Sequence, residues 1–192
     1  MDQIKEGYTR VSEILSMIPT WNRKEKKWHY PFQSINQEVL ENKCRIGTNV
    51  HKAIESHLTK DFYALESDEK SYFTSFLQWH ELVKLKPVLC ETRFYNESLK
   101  ISGAIDLIAY LGDDPTPTLI DFKTSACADL IKWEYQANFY HLLASAESAL
   151  TTNVLFVQLQ KDEKSFIIHT FKITKNSLQK TFFLLELFRQ LT

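Results

Sequence analysis

Only four of the 192 residues are glycine, at Gly7, Gly47, Gly103 and Gly112, where average usage would place roughly 13. Four such scattered positions cannot build a G-x-G-x-x-G or Walker-type loop, so a glycine-cradled nucleotide site is excluded. Collagen-like, glycine-linker and many-hairpin β architectures go with it. Apolar residues make up 44% of the chain and aromatics 13%, enough for a sizeable core, and the length predicts a single domain. With 23 Lys and Arg against 24 Asp and Glu, binding by bulk positive charge is ruled out, while local patches remain open. Cys44, Cys90 and Cys127 are odd in number and lack C-x-x-C spacing, which argues against a zinc ribbon or disulfide framework and for a reducing compartment. Met1–Glu6 carry no signal-peptide pattern, and no apolar run reaches membrane-spanning length. The expectation is a cytoplasmic protein without a membrane partner.

Along the chain, residues 8–18 form a short amphipathic segment (Val11, Ile14, Leu15, Ile18) stopped by Pro19. Trp21 to Tyr30 then interleaves cations with aromatics. Helical periodicity marks 46–59 and 67–84, the latter with Tyr72, Phe73, Phe76, Leu77 and Leu82 as its apolar side. After Pro87 the pattern alternates, which predicts strands at 88–96, 100–111 and 119–123. A long helix follows at 128–148, then strands at 152–159 and 165–173. Thr174 is the expected cap of a last helix with Leu178, Phe182, Leu185 and Phe188 buried. The order helices, βββ, α, ββ, α predicts an α/β fold with a mixed sheet flanked by helices. About 1–87 would be a mainly helical lead-in, 88–173 the sheet core and 174–192 a closing helix.

The third of these strands, Leu119-Ile120-Asp121-Phe122-Lys123, projects Asp121 and Lys123 from one face. A carboxylate beside an ammonium can hold a metal and steer a water, yet Asp-x-Lys arises by chance about 0.7 times in such a chain. An exposed edge pair has the same pattern. Asp106 narrows the choice, because it is a lone acid in an otherwise apolar strand and is costly to bury unpaired. Sequence-adjacent strands usually pair, so Asp106 and Asp121 would converge on one cation, and hard oxygen donors suit Mg²⁺ or Mn²⁺. His51 lies one turn after Gly47 and one turn before Glu55, and a lone helical histidine is also an ordinary structural residue. Glu91 sits among Val88, Leu89 and Cys90, where it would either join the site or pair with Arg93 or a lysine. Gln136 and Tyr140 share one face of the long helix, either as packing or pointed at a phosphate or base.

Taken in order, Gly47/His51, Glu91, Gly103/Asp106, Asp121/Lys123 and Gln136/Tyr140 resemble the motif series of the RecB-like branch of the PD-(D/E)XK nucleases, over residues 8–145. Thr9–Leu15, Gly47–Leu58 and Asp121–Ser125 are similar to its phage and mitochondrial-genome-maintenance exonuclease members. The resemblance implies a restriction-endonuclease-like core behind a helical N-terminal part. It implies His51, Asp106, Asp121 and the Phe122 carbonyl as ligands of one or two Mg²⁺ or Mn²⁺ ions. Lys123 would orient the attacking water, with Asp121, Asp106 and Glu91 as catalytic carboxylates. Gln136, Tyr140, Thr124 and Ser125 would contact nucleic acid or brace the site. Arg23, Lys24, Lys27 and Trp28 would line a single-strand path. Ile105 stands where many relatives have proline. No cysteine follows Cys127, so the iron–sulfur cluster of some members is not expected. The implied activity is a single-strand-preferring DNA exonuclease in recombination, repair or replication, working beside other proteins of those processes. A structure-selective endonuclease or a silent nucleic-acid-binding module on the same fold are the alternatives.

Overall fold

The computed structural model describes residues 5–22, 26–29, 37–146, 153–162 and 165–192, with the backbone alone at 20–22 and 27–29. Its elements run β1 (Thr9–Arg10), α1 (Val11–Ser16), β2 (Thr20–Asn22), β3 (Lys27–His29), α2 (Gln37–Thr59), α3 (Ser67–Val83), β4 (Leu85–Asn96), β5 (Ile101–Leu111), β6 (Thr118–Lys123), α4 (Leu130–Ala146), β7 (Asn153–Leu159), β8 (Phe166–Lys172) and α5 (Lys175–Leu191). This is the expected α/β architecture, a mixed six-stranded sheet flanked by helices. β5 is its hub, antiparallel to β4 and β6 and parallel to β1. Beyond β6 the sheet continues through β7, parallel, to β8, antiparallel.

Two cores sandwich the sheet. On one face Val11, Ile14 and Leu15 of α1, Trp133 to Ala144 of α4 and Leu185 of α5 close over Ile101, Ile105, Leu119 and Phe156. On the other, Ile46, Val50 and Ile54 of α2 and Tyr72, Phe76 and Trp79 of α3 close over Leu107, Ile120, Phe122 and Val157.

Several boundaries differ from the sequence reading for identifiable reasons. Helix α2 begins nine residues earlier than its apolar periodicity, because residues 37–45 are mostly exposed and polar. That first half is held by Arg45, which bonds Glu66, Asp68 and Glu69 at the start of α3. Trp79 takes the buried place on α3, and Leu82, expected on the apolar side, is 72% exposed. β4 runs through Pro87 by means of a bulge between Pro87 and Leu89; an edge strand tolerates the missing N–H. Thr174 caps α5 as expected, its side chain accepting from Ser177 N while Ser177 Oγ accepts from Thr174 N. The buried face of α5 is rotated, however, to Ser177, Thr181 and Leu185, leaving Phe182 exposed. Residues 20–22 and 27–29, which overlap the aromatic–basic stretch, pair antiparallel as β2 and β3, which the sequence reading had not foreseen. Among the described residues no helix is long and apolar enough to cross a membrane.

Candidate active site

β5 and β6 pair at only three positions, Leu107–Ile120, Ile108–Leu119 and Ala109–Thr118. Then they part. β6 continues against β7 as far as Lys123–Gln158, and β5 continues against β4 and β1. Asp106 and Asp121 stand at the mouth of this fork, both buried. Where a ladder bond would have been, the Asp106 carboxylate accepts the Phe122 N–H at 2.8 Å.

The strand alternation also breaks here. Ile105 and Ile108 belong to the core under α4, whereas Leu107 and Ala109 belong to the core under α2. β4 changes face at the matching step, with Phe94 in the first core and Cys90 against the second. Between the paired positions Cys90–Leu107 and Thr92–Ile105, Glu91 falls opposite Asp106. Its backbone is left-handed, with φ of 44°. Such a conformation costs a non-glycine residue about 1–2 kcal/mol and persists where surrounding structure enforces it.

Helix α2 brings His51 to this step. A Cβ at Gly47 would lie 3.4 Å from Thr124 Oγ1, an ordinary contact distance, so α2 runs against the loop after β6 at this turn without requiring glycine there. His51 Nε2 is 3.0 Å from the Phe122 carbonyl. A carbonyl only accepts, so Nε2 carries the proton and Nδ1 is turned to Asp106 Oδ2 at 3.3 Å and Glu91 Oε1 at 3.5 Å. The Phe122 carbonyl, expected as a metal ligand, accepts from the histidine here and so sets the tautomer and orientation of its ring. Burial presses the imidazole towards neutrality, but Asp106 outweighs it and holds His51 well above its ordinary value. For Asp106, burial is likewise outweighed, by His51 and Lys123, and the carboxyl is lowered. Burial raises Glu91, opposed by His51. Glu91 therefore pairs with His51 and not with Arg93, the partner the sequence had offered.

The other prong of the fork faces α4. Lys123 Nζ lies 2.6 Å from Asp121 Oδ2 and donates to Gln136 Oε1 at 3.0 Å. Gln136 Nε2 reaches Asp121 Oδ1 at 3.0 Å and the Tyr140 hydroxyl at 2.9 Å. Asp121 Oδ2 is buried, with the ammonium as its ion-pair partner. Burial pushes the Asp121 carboxyl up to about 7, with Lys123 opposing and Asp106 reinforcing. Burial also carries Tyr140 well above its ordinary value. Gly103 packs against α4. A Cβ there would lie 2.9 Å from Leu143 Cδ1 and 3.2 Å from Tyr140 Cε1, so it makes room for α4.

Donor atoms of His51, Glu91 and Asp106 lie within 4.8 Å of one another. One imidazole nitrogen and carboxylate oxygens, with the Asp121 carboxylate across the fork, fit a hard divalent cation. Asp121 is not in that tightest group, and Glu91, the least defined acid in the sequence, is. Thr124 packs on Gly47, and the Ser125 carbonyl accepts from Gln158 Nε2 at 2.7 Å; both lie in the loop joining β6 to α4. Lys27 and Trp28 fall on β3, whereas Arg23 and Lys24 lie outside the described residues. The sequence reading passed over Lys132, which stands one turn before Gln136 on the stripe 132, 136, 140. The same i, i+4 spacing extended one turn back would have found it.

No protein-family model matches the chain, and no curated protein does. Its fold does match solved structures. A protein from Eubacterium rectale assigned as an exonuclease superposes with a TM-score of 0.55 at 12% identity, over 97% of this chain and 84% of that one. An alkaline exonuclease from Laribacter hongkongensis gives 0.51 at 9% identity, over 96% and 87%. At such identities the likeness is one of fold, the mixed sheet with its two helix layers.

Proposed function

We propose that this chain is a metal-dependent DNA nuclease of the RecB-like PD-(D/E)XK branch, a single domain acting as a single-strand-preferring exonuclease in recombination, repair or replication. The observation that carries the reading is the fork itself: His51, Glu91 and Asp106 converge on one side, and the Asp121–Lys123 pair stands on the other. The exonuclease assignments of the two fold neighbours support it.

His51, Glu91, Asp106 and Asp121 would hold Mg²⁺ or Mn²⁺. Such an ion supplies Lewis acidity to a water nucleophile and offsets charge on the phosphoryl oxygens. The protein's own part is orientation. Phe122 aims His51 through its carbonyl and Asp106 through its N–H. Gln136 holds the Lys123 ammonium beside Asp121, where it orients the attacking water and stabilises the five-coordinate phosphorus of the transition state. The P–O bond to the leaving strand breaks, giving 5′-phosphate and 3′-hydroxyl ends.

The test uses end-labelled single- and double-stranded DNA with Mg²⁺, Mn²⁺ or EDTA, alongside Asp121→Ala and Lys123→Ala. Mononucleotides released from one end of a single strand, with circles spared, support the exonuclease. Cutting of circles or branched junctions would transfer the reading to an endonuclease. Metal-dependent binding without product would leave a silent binding module.

A further inference from the structure

One cation beside the fork has no part in the machinery above. Lys132 lies in the first turn of α4, where Asp129 Oδ1 accepts its backbone N–H at 3.2 Å. Its side chain is partly buried, and its ammonium makes no hydrogen bond or ion pair among the described residues. Lys132, Gln136 and Tyr140 follow one another at i, i+4 and i+8, so the side of α4 that meets Asp121 and Lys123 continues onto Lys132. One turn of helix, about 6 Å of rise, separates it from Gln136, the residue that holds Lys123.

Two ammonium groups along one helix stripe, one of them partly buried and without a hydrogen bond or ion pair among the described residues, repel each other and lose hydration. Burial is the largest influence lowering the Lys132 ammonium from its ordinary value; Asp129 offsets part of it and the Lys123 charge adds to it. An anion between or beside the two lysines relieves both costs. Spacing of one helical turn is also the scale on which successive phosphates follow one another along a strand.

We infer that Lys132 binds a backbone phosphate of the DNA strand, the one next to the scissile phosphate, and so sets the register of the strand at the fork. The inference rests on the nuclease reading. Lys132 acts as a point charge on a non-bridging oxygen and takes no part in bond making.

The experiment measures binding of a fluorescent single-stranded oligonucleotide by anisotropy across a salt series with Ca²⁺ present, for the wild type, Lys132→Gln, Lys132→Arg and Lys70→Gln. Lys70 is an exposed residue of α3. Loss of one single-strand phosphate contact lowers the slope of log K against log salt by about 0.7. Lys132→Gln should show that loss, with KM raised severalfold and kcat little changed, while Lys132→Arg and Lys70→Gln keep the wild-type slope. Replacing phosphates one at a time by neutral methylphosphonates should identify one position at which the wild type and Lys132→Gln become equal. An unchanged slope in Lys132→Gln, an equal loss in Lys70→Gln, or a difference surviving every methylphosphonate position overturns the inference while a cleaving wild type leaves the nuclease reading intact. A wild type that neither binds nor cleaves DNA removes both.

Discussion

Glu91 stands opposite Asp106 across the β4–β5 ladder, and at that one step both strands turn their side chains from one core to the other. Glu91 accommodates the turn in a left-handed backbone. Strain of this kind at an acid that faces His51 is the cost of placing two carboxylates side by side.

Glycine adopts positive φ without penalty, so the strain is separable from the carboxylate. Glu91→Gly should be more stable than Glu91→Ala by about 1 kcal/mol, reversing the usual order of the two residues in regular structure. Thermal melting in EDTA measures it. Both variants should bind Mn²⁺ at least about tenfold more weakly by calorimetry. If Ala melts above Gly, the strain is not there.

Gln136 is the hinge of the second prong, since its single amide group holds both Lys123 and Asp121. Gln136→Leu leaves the ammonium, already 2.6 Å from Asp121 Oδ2, without its second anchor and leaves Asp121 Oδ1 without its donor. The expected result is a fall in kcat of about 10²-fold, approaching the 10²–10³-fold expected of Lys123→Ala, with Mn²⁺ affinity kept. Tyr140→Phe removes one neutral acceptor, worth about 1 kcal/mol, and should cost only about fivefold. A larger effect for Tyr140→Phe than for Gln136→Leu would contradict this hierarchy.

The two halves of the site were unequally legible. Asp106, Asp121 and Lys123 could be picked out because an acid in an apolar strand and a same-face pair are local facts of alternation. The pairing of Gln136 with Tyr140 is likewise a local fact of helical spacing. The break at Glu91 and Asp106 was not legible, since Ile105 and Leu107 flank Asp106 with apolar side chains that suit either core, and no glycine or proline stands at the step where alternation reverses. Gln158, which fixes the Ser125 carbonyl from the neighbouring strand, depends on parallel β6–β7 pairing across an intervening helix. Nor does any periodicity announce the polar first half of α2, whose stability comes from Arg45 and acids more than twenty residues away.

Glycine positions separate packing from chemistry. Gly103→Ala pushes a methyl into Leu143 and Tyr140 and should destabilise by about 1–3 kcal/mol, lowering kcat as Tyr140 shifts. Gly112 has φ of 59° and open space around its missing Cβ, so Gly112→Ala should cost about 1–2 kcal/mol of backbone strain with kcat unchanged. Melting temperatures read against kcat decide it. Equal loss of kcat in both would show that stability alone governs activity.

Under the proposed function, metal and proton compete for the same atoms. Without metal, burial lifts Asp121 to about 7, so the folded state holds that proton more tightly than the unfolded chain does. The resulting stabilisation is full below the ordinary carboxylate range and is lost as pH rises through about 7. His51, held high by Asp106 against its burial, and Glu91, raised by burial, act in the same direction. The melting temperature in EDTA should therefore fall between about pH 5 and about pH 8, and Asp121→Asn should flatten part of that fall. Excess Mn²⁺ reverses the trend, because its ligands must be deprotonated and binding to the folded state alone adds stability. Metal stabilisation that fails to grow with pH, or an Asp121→Asn protein with the wild-type pH slope, would show that the fork does not exchange protons for a cation.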